Sequence, residues 1–223
     1  MTNPEYRHII MLVDRSGSMQ SCREATQEGI NGLFAGQSAE GGWATASLYQ
    51  FDTEHEVVFA HVPLDQVPPY RLAPRGGTAL LDAIGFAFAR EGEWLGSLAE
   101  DQRPGTVIAV IATDGMENSS REYKRPQIQE IIRQQQEVYS WQILFIGANM
   151  DAVQVATSYG ISAPHAMTFR ASPAGAAKSL NAVHRAMSRG RRGEGYGFTA
   201  EERVAALDDG DSVEVIEIEV DGS

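Results

Sequence analysis

Three stretches of the chain consist almost wholly of apolar residues, at positions 8–13, 106–113 and 141–146. Unbroken apolar runs of this length, rich in isoleucine and valine, are typical of parallel strands that are buried on both faces. Residues 167–169 predict a shorter last strand of the same kind. Polar residues follow the first two runs immediately, which marks where those strands end.

Apolar residues at helical spacing predict helices between these strands. The predicted helices cover residues 22–37, about 79–94, 126–138, a short stretch after Asp151, and 173 to about 190. Two further strands, within residues 45–60, surround a polar turn and predict a hairpin. Strands and helices that alternate in this way indicate an α/β fold, a doubly wound, Rossmann-like sheet with helices on both faces. The sheet is expected to be mostly parallel, with one antiparallel edge strand from the hairpin.

The chain divides near Gly190, where several glycines follow the last long helix. Residues 1–190 form the predicted domain, and residues 191–223 form an acidic C-terminal extension. From residue 194 onward the extension has ten acidic residues and one basic residue, and so carries most of the net charge of −12. Thr199 and Glu202 match a capping box that opens a short helix, and residues 213–220 alternate like a strand.

Composition narrows the function classes. The net negative charge argues against general affinity for nucleic acid. Cys22 is the single cysteine, which excludes an internal disulfide framework and fits a reducing compartment. The N-terminal residues lack the pattern of a signal peptide, and no apolar run is long enough for a membrane span. We therefore expect a cytoplasmic protein that does not contact membranes.

The chemistry concentrates where the strands end. Asp14, Ser16 and Ser18 directly follow the first strand, and Asp114 directly follows the strand at 106–113. Thr78 stands after two glycines, where the N-cap of the next helix is expected, with Asp82 one turn later. Loops at the carboxyl ends of parallel strands share one edge of the sheet, so these oxygen-bearing side chains should converge. Two carboxylates and three hydroxyls suit Mg²⁺, a hard cation, with Mn²⁺ or Ca²⁺ as possible substitutes.

These residues resemble a known family. Asp14-x-Ser16-x-Ser18, then Gly77-Thr78, then Asp114-Gly115 are similar to the metal-ion-dependent adhesion site of von Willebrand factor type A domains. The resemblance covers roughly residues 5–190 and is strongest to the stand-alone bacterial members.

The resemblance implies a binding module rather than an enzyme. Ser16, Ser18 and Thr78 would contact Mg²⁺, and Asp14 and Asp114 would ligate it directly or through water. A glutamate or aspartate from a partner protein would complete the octahedron. The identity of that partner and the oligomeric state are not encoded in the motif.

Residues beside the motif have weaker assignments to partner binding. Gly77 and Gly115 adjoin the proposed ligands. Glu117 and Asn118 either contact the waters of the metal or the partner, or belong to a solvated loop. Arg15 either attracts an acidic partner or is an ordinary surface arginine. The five histidines show no zinc-ligand spacing, and we interpret all of them as structural or surface residues.

The alternative hypothesis is a Mg²⁺-dependent phosphohydrolase with Asp14 as nucleophile. That chemistry needs a nucleophile beside the metal, a general acid/base and a phosphate clamp. The position two residues after Asp14, usually a second aspartate in aspartyl phosphatases, is Ser16. A clamp lysine could come only from Lys124 or Lys178. The sequence therefore favours the interaction module.

Overall fold

The computed structural model describes residues 2–148 and 150–208, which form one six-stranded sheet with six α-helices around it. The strands are β1 (Asn3–Asp14), β2 (Trp43–Phe51), β3 (His55–Pro63), β4 (Pro104–Thr113), β5 (Gln142–Ala148) and β6 (Ala166–Phe169). The helices are α1 (Arg23–Ala39), α2 (Leu80–Ser97), α3 (Arg125–Glu137), α4 (Ala152–Ser158), α5 (Pro173–Arg191) and α6 (Ala200–Leu207). Across the described residues, every helix is too short or too polar to cross a lipid bilayer.

The strand order is β3-β2-β1-β4-β5-β6. Strand β1 is parallel to its neighbours β2 and β4, and β5 is parallel to its neighbours β4 and β6. Strands β2 and β3 form an antiparallel hairpin at one edge. This topology confirms the predicted doubly wound, mostly parallel sheet and its single antiparallel strand. The order reverses beside β1, so the loops that follow β1 and β4 lie next to each other at the carboxyl edge.

Alternate residues of the central strand enter two separate cores, because successive side chains of a strand point to opposite faces. Ile9, Met11 and Val13 pack in the core that α1, α5 and α6 cover. Ile10 and Leu12 pack in the core that α2, α3 and α4 cover. Helices on both faces leave β1 no solvent-facing side, which explains its continuous apolar sequence.

Several predicted helix starts are confirmed by their caps. Asp151 accepts a hydrogen bond from the Gln154 amide at the start of α4, and Ser172 accepts one from the Gly175 amide at the start of α5. The first helix differs from the prediction, since a 3₁₀ helix at Gly17–Cys22 precedes α1. That turn places Ser18 close to the end of β1.

Helix α6 packs on α5 and β6 through a buried carboxylate. Glu202 forms ion pairs with Arg185 and Arg189 at 2.9 and 2.8 Å, and it completes the predicted capping box with Thr199. Arg203 donates hydrogen bonds to backbone carbonyl groups at residues 163–166. Phe198 and Ala206 join the core beside α5. The helix predicted after Thr199 is therefore present as α6. The division of the chain at Gly190 stays a prediction, and the strand predicted at 213–220 lies outside the described residues.

Replacement of Glu202 by glutamine is expected to lower the free energy of unfolding by about 2 kcal/mol, because two arginines lose a charged hydrogen-bond acceptor. Burial by itself would raise the pKa of Glu202, but hydrogen bonds from Arg189, the Thr199 amide and Arg185 outweigh it and hold the pKa below its usual value. The stabilisation is thus present above pH ~4 and is lost as the pH falls further.

Urea denaturation at pH 7 and at lower pH measures this effect. Glu201→Gln is the matched control, since Glu201 is exposed in the same helical turn. Equal denaturation midpoints for the two variants at pH 7 would contradict the structural role of Glu202.

Candidate metal centre

Two aspartates and two serines meet at the carboxyl edge of the sheet. Asp14 ends β1 and is completely buried, and Asp114 directly follows β4. The Ser18 hydroxyl donates a hydrogen bond to Asp114 Oδ1 at 2.7 Å, and the Ser16 hydroxyl lies 3.4 Å from the same oxygen. The two serine oxygens are 3.0 Å apart. The loop after β1 therefore presents its hydroxyls directly to the carboxylate after β4.

Thr78 brings a third hydroxyl to the same place. A β-carbon built on Gly115 would lie 2.9 Å from Thr78 Oγ1, and 3.8 Å from both Asp14 Oδ2 and Ser18 Oγ. These atoms thus face one small space beside Gly115, which glycine keeps open. The structure brings together all five residues that the sequence singled out as metal ligands.

The carboxylates in this space contact hydroxyl and amide groups rather than cationic side chains. Asp14 accepts hydrogen bonds from the Ser16 amide and the Thr113 hydroxyl, both at 2.6 Å. Burial nevertheless raises the pKa of Asp14 to about 6, and burial also raises the pKa of Asp114. Among the described residues, no cationic side chain pairs with these two buried carboxylates, which leaves negative charge that a bound cation would neutralise.

The donor set fits a hard divalent cation. All five side chains offer oxygen, two of them as carboxylates, and Mg²⁺, Mn²⁺ and Ca²⁺ prefer oxygen ligands. Two carboxylates bring a divalent ion only to about zero net charge, so the ion would remain able to accept a further anionic ligand. Ser18 is exposed while Asp14, Ser16 and Thr78 are buried, so access is from the Ser18 side.

The position of Thr78 corrects one prediction, because Thr78 is not the N-cap of α2. The helix begins at Leu80, and its amide groups are satisfied from the loop after β4 instead. Glu117 Oε2 accepts a hydrogen bond from the Leu81 amide, and Asn118 Oδ1 accepts one from the Thr78 amide, both at 3.0 Å. The Thr78 hydroxyl is therefore not used for capping and can face the carboxylates.

Glu117 and Asn118 consequently have a positioning role that their sequence did not reveal. The Asn118 side-chain oxygen accepts a hydrogen bond from the Thr78 amide, just before α2. The Glu117 carboxylate accepts hydrogen bonds from the Leu81 amide in α2 and from two amides of its own loop. Asp82 fastens the other end of this loop, since its carboxylate accepts three amide hydrogen bonds, from Arg121, Glu122 and Tyr123. The 117–123 segment and the first turns of α2 thus hold each other.

Gly77 is required by the same packing. A β-carbon at Gly77 would lie 2.6 Å from Ser119 Oγ and 3.0 Å from Asn118 Oδ1. The preceding Gly76 has φ +68°, a left-handed conformation that favours glycine. The two glycines therefore let the loop before Thr78 turn sharply and approach the 117–120 segment.

Arg15 is not a surface arginine, so that interpretation from the sequence is wrong, whereas its role in attracting an acidic partner stays a prediction. Its side chain is only 7% exposed and points into the protein. Its guanidinium pairs with Asp52 at 2.8 Å and with Glu56 at 2.7 Å. Asp52 also pairs with Arg75 at 2.7 Å. The buried Asp52 carboxylate attracts Arg15 inward and links the loops after β1 and β2 to the loop before Thr78.

Sequence reasoning also missed Thr113, which supports the site from the last position of β4. Its hydroxyl donates to Asp14 Oδ2 and accepts a hydrogen bond from the Gly115 amide at 3.2 Å. In the sequence, Thr113 could be recognised only as a polar residue at the end of an otherwise apolar strand, directly before Asp114. A threonine is so common in strands that this signal is weak.

No protein-family model and no curated protein sequence matches the chain. Solved structures do match it, among them proximal thread matrix protein 1 from the mussel byssus with a zinc-occupied MIDAS motif, where MIDAS is the metal-ion-dependent adhesion site. That match has a TM-score of 0.57 at 14% identity and covers 82% of this chain and 46% of the mussel chain.

Two bacterial structures match similarly. The von Willebrand factor type A protein from Catenulispora acidiphila gives a TM-score of 0.56 at 16% identity, covering 82% of this chain and 42% of that one. The vWF domain of the type V pili tip protein Mfa5 from Porphyromonas gingivalis gives 0.54 at 12% identity, covering 85% of this chain and 97% of that one. This chain spans less than half of the length of the mussel and Catenulispora proteins. On this likeness and the sheet topology, the chain has the von Willebrand factor type A fold.

Proposed function

We propose that this chain is a Mg²⁺-dependent protein-interaction module. Asp14, Asp114 and the hydroxyls of Ser16, Ser18 and Thr78 hold the ion, and a glutamate or aspartate of a partner protein completes its coordination. The observation that carries the proposal is the convergence of two buried carboxylates on three hydroxyls at one edge of the sheet.

The charge of a divalent ion with two aspartate ligands, which is about zero, explains why the partner supplies a carboxylate. Hydroxyl ligands leave the charge of the ion unchanged, so the ion retains affinity for one more anionic oxygen. The exposed Ser18 marks the side from which that oxygen arrives. Mg²⁺ is proposed because every donor is oxygen, with Mn²⁺ or Ca²⁺ as substitutes. The zinc-occupied motif of the mussel protein supports a divalent cation at this edge of the fold.

The proposed partner is a protein in the cytoplasm rather than nucleic acid or membrane. The net charge of −12 opposes binding to a polyanion, and a single cysteine fits a reducing compartment. The fold supports an interaction role by analogy, since its structural neighbours include a pilus tip protein and a byssus matrix protein.

Phosphohydrolase chemistry is less well supported than binding. Both carboxylate oxygens of Asp14 already accept hydrogen bonds, from Ser16 and Thr113, which suits a ligand held in place better than a nucleophile. The ammonium group of Lys178, one of the two possible clamp lysines, donates to the backbone oxygen of Asp208 at 2.7 Å. We therefore propose no catalytic activity.

Asp14→Ala is expected to weaken Mg²⁺ binding at least about tenfold and to abolish retention of the partner, because it removes a buried ligand. Calorimetry with Mg²⁺ and a pull-down from host lysate, each with and without EDTA, measure the two effects. Asp151→Ala is the matched control, since Asp151 follows β5 at the same edge but caps α4.

Retention of the same partner by Asp14→Ala, and by wild type in EDTA, would contradict the proposal. Hydrolysis of a generic phosphate ester by wild type and its loss in Asp14→Ala would establish the phosphohydrolase instead. Circular dichroism on each variant separates loss of binding from loss of the fold.

Gly115→Ala tests the geometry without removal of any ligand. Its methyl group would stand 2.9 Å from Thr78 Oγ1 and fill the space that Thr78, Asp14 and Ser18 face, so we expect metal affinity to fall about tenfold or more. Gly17→Ala is the matched control in the same site, where the nearest atom to the new methyl group is 3.6 Å away. Equal Mg²⁺ affinities for the two variants, by calorimetry, would place the ion elsewhere.

Arg15→Met is expected to lower the free energy of unfolding by about 2–3 kcal/mol, because Asp52 loses a buried charged partner. Arg23→Gln is the control, because the Arg23 side chain is 42% exposed and Arg15 is buried. Urea denaturation gives the stability, and Mg²⁺ calorimetry on the folded variant tests the site itself. Wild-type stability together with weakened partner binding would return Arg15 to a role in partner recognition.

A further inference from the structure

A cluster of two histidines and one glutamate lies away from the Asp14 site, toward the amino ends of the parallel strands. His8 is on β1, His61 on β3 and Glu91 on α2. His8 precedes Asp14 by six residues on one strand, which separates the two sites by about 20 Å. His8 and Glu91 are completely buried, while the His61 side chain is 23% exposed.

The two imidazoles point at one carboxylate oxygen. His8 Nε2 lies 3.0 Å and His61 Nε2 lies 3.2 Å from Glu91 Oε2, and all three atoms lie within 4.8 Å of one another. In tetrahedral zinc sites the bonds are about 2.0–2.1 Å, which places neighbouring donor atoms about 3.3 Å apart. The two nitrogen–oxygen separations are close to this value, and the imidazole nitrogens lie no more than 4.8 Å apart, so one zinc ion could contact all three side chains after they adjust around it.

The remaining polar atoms of two members are fixed by neighbours. His8 Nδ1 is 2.7 Å from Thr45 Oγ1, which in turn is 2.7 Å from the Tyr6 hydroxyl. The Tyr49 hydroxyl donates to Glu91 Oε1 at 2.6 Å. Hydrogen bonds of this kind orient metal-binding imidazoles and carboxylates, and they leave His8 Nε2 and Glu91 Oε2 directed into the cluster.

The protonation states also suit a metal. Burial lowers the pKa of His8 and so favours its neutral form. Burial would raise the pKa of Glu91, yet hydrogen bonds from His61, His8 and Tyr49 outweigh it and hold the pKa well below its usual range. A neutral imidazole and an ionised carboxylate are the forms that bind metal ions. Zinc at His8 Nε2 would shift the ring proton, which now hydrogen-bonds Glu91, to Nδ1, where Thr45 Oγ1 would accept it.

The backbone around His61 is shaped to place its ring. His61 has φ +57°, an uncommon conformation for a residue with a side chain, and the β2–β3 register shifts between Ala46 and Leu48. The His61 amide donates to Ser47 Oγ at 3.0 Å, and its ring stacks on Trp94 at 3.7 Å. Bulges commonly redirect a side chain in this way. Its partial exposure provides the entry path to two buried ligands.

We propose that His8, His61 and Glu91 bind one Zn²⁺ ion, with a water molecule as the fourth ligand on the side of His61. The imidazole nitrogens set this site apart from the all-oxygen site at Asp14, because nitrogen ligands select zinc and related transition metals over Mg²⁺. The spacing of these residues along the chain matches no zinc motif, which is why the sequence did not indicate the site.

Zinc calorimetry on chelator-treated, tag-free Asp14→Ala protein tests the proposal, since that background removes the other site. We expect one Zn²⁺ per chain, and at least about hundredfold weaker binding when His61→Asn is added. Asparagine tolerates the left-handed backbone, so the second variant should fold. His55→Asn is the matched control, because His55 is also on β3 and packs against an aromatic ring of α2, Phe86.

Two further measurements make the result decisive. Co²⁺ substituted for zinc should give the intense visible absorption of a four-coordinate site in Asp14→Ala, and lose it in the His61 variant. Tyr49→Phe keeps all three ligands but frees the carboxylate, and should weaken zinc binding about tenfold. Folded Asp14→Ala protein that binds no zinc, or zinc binding equal in the His61 and His55 variants, would show that the cluster is only a hydrogen-bonded network.

Discussion

The buried carboxylate of Asp52 is the interaction on which the architecture of the carboxyl edge depends. It accepts hydrogen bonds from Arg15 after β1 and from Arg75 before Thr78, while the Asp52 carbonyl accepts one from the Ala79 amide. Burial alone would raise the pKa of Asp52, but hydrogen bonds from Arg75 and the Glu54 amide, together with the charge of Arg15, hold it below its usual value. One ionised residue thereby fixes the relative positions of three loops.

The charges at this edge are separated in a way that favours cation binding. Both arginines are bound by Asp52 and its acidic neighbours, Glu54 and Glu56. Within residues 2–148 and 150–208, Asp14 and Asp114 therefore face the space beside Gly115 with no cationic side chain paired to them. The same fold thus builds a network in which carboxylates bind both arginines and, directly beside it, a negative space that a metal ion would neutralise.

Sequence reasoning succeeded where local pattern and topology decide the outcome. Asp14, Ser16 and Ser18 share one short loop, and the edge rule for parallel strands brings Thr78 and Asp114 to them. Arg15 was misjudged because its direction depends on Asp52, 37 residues away, whose burial is a product of packing. His8 and Glu91 are 83 residues apart on elements whose facing sides become known only from the register and the bulge in β3.

The hydrogen bonds that Asp82, Glu117 and Asn118 make have a mechanical consequence. They join the start of α2 to residues 117–123, on the segment that leads from β4 to α3. Asp52 joins the loop after β1 to the loop before Thr78, so all the loops that carry the proposed ligands are connected to one another. An ion at this edge would therefore bind to ligands that the protein already holds in place, and little binding energy would be spent on ordering them.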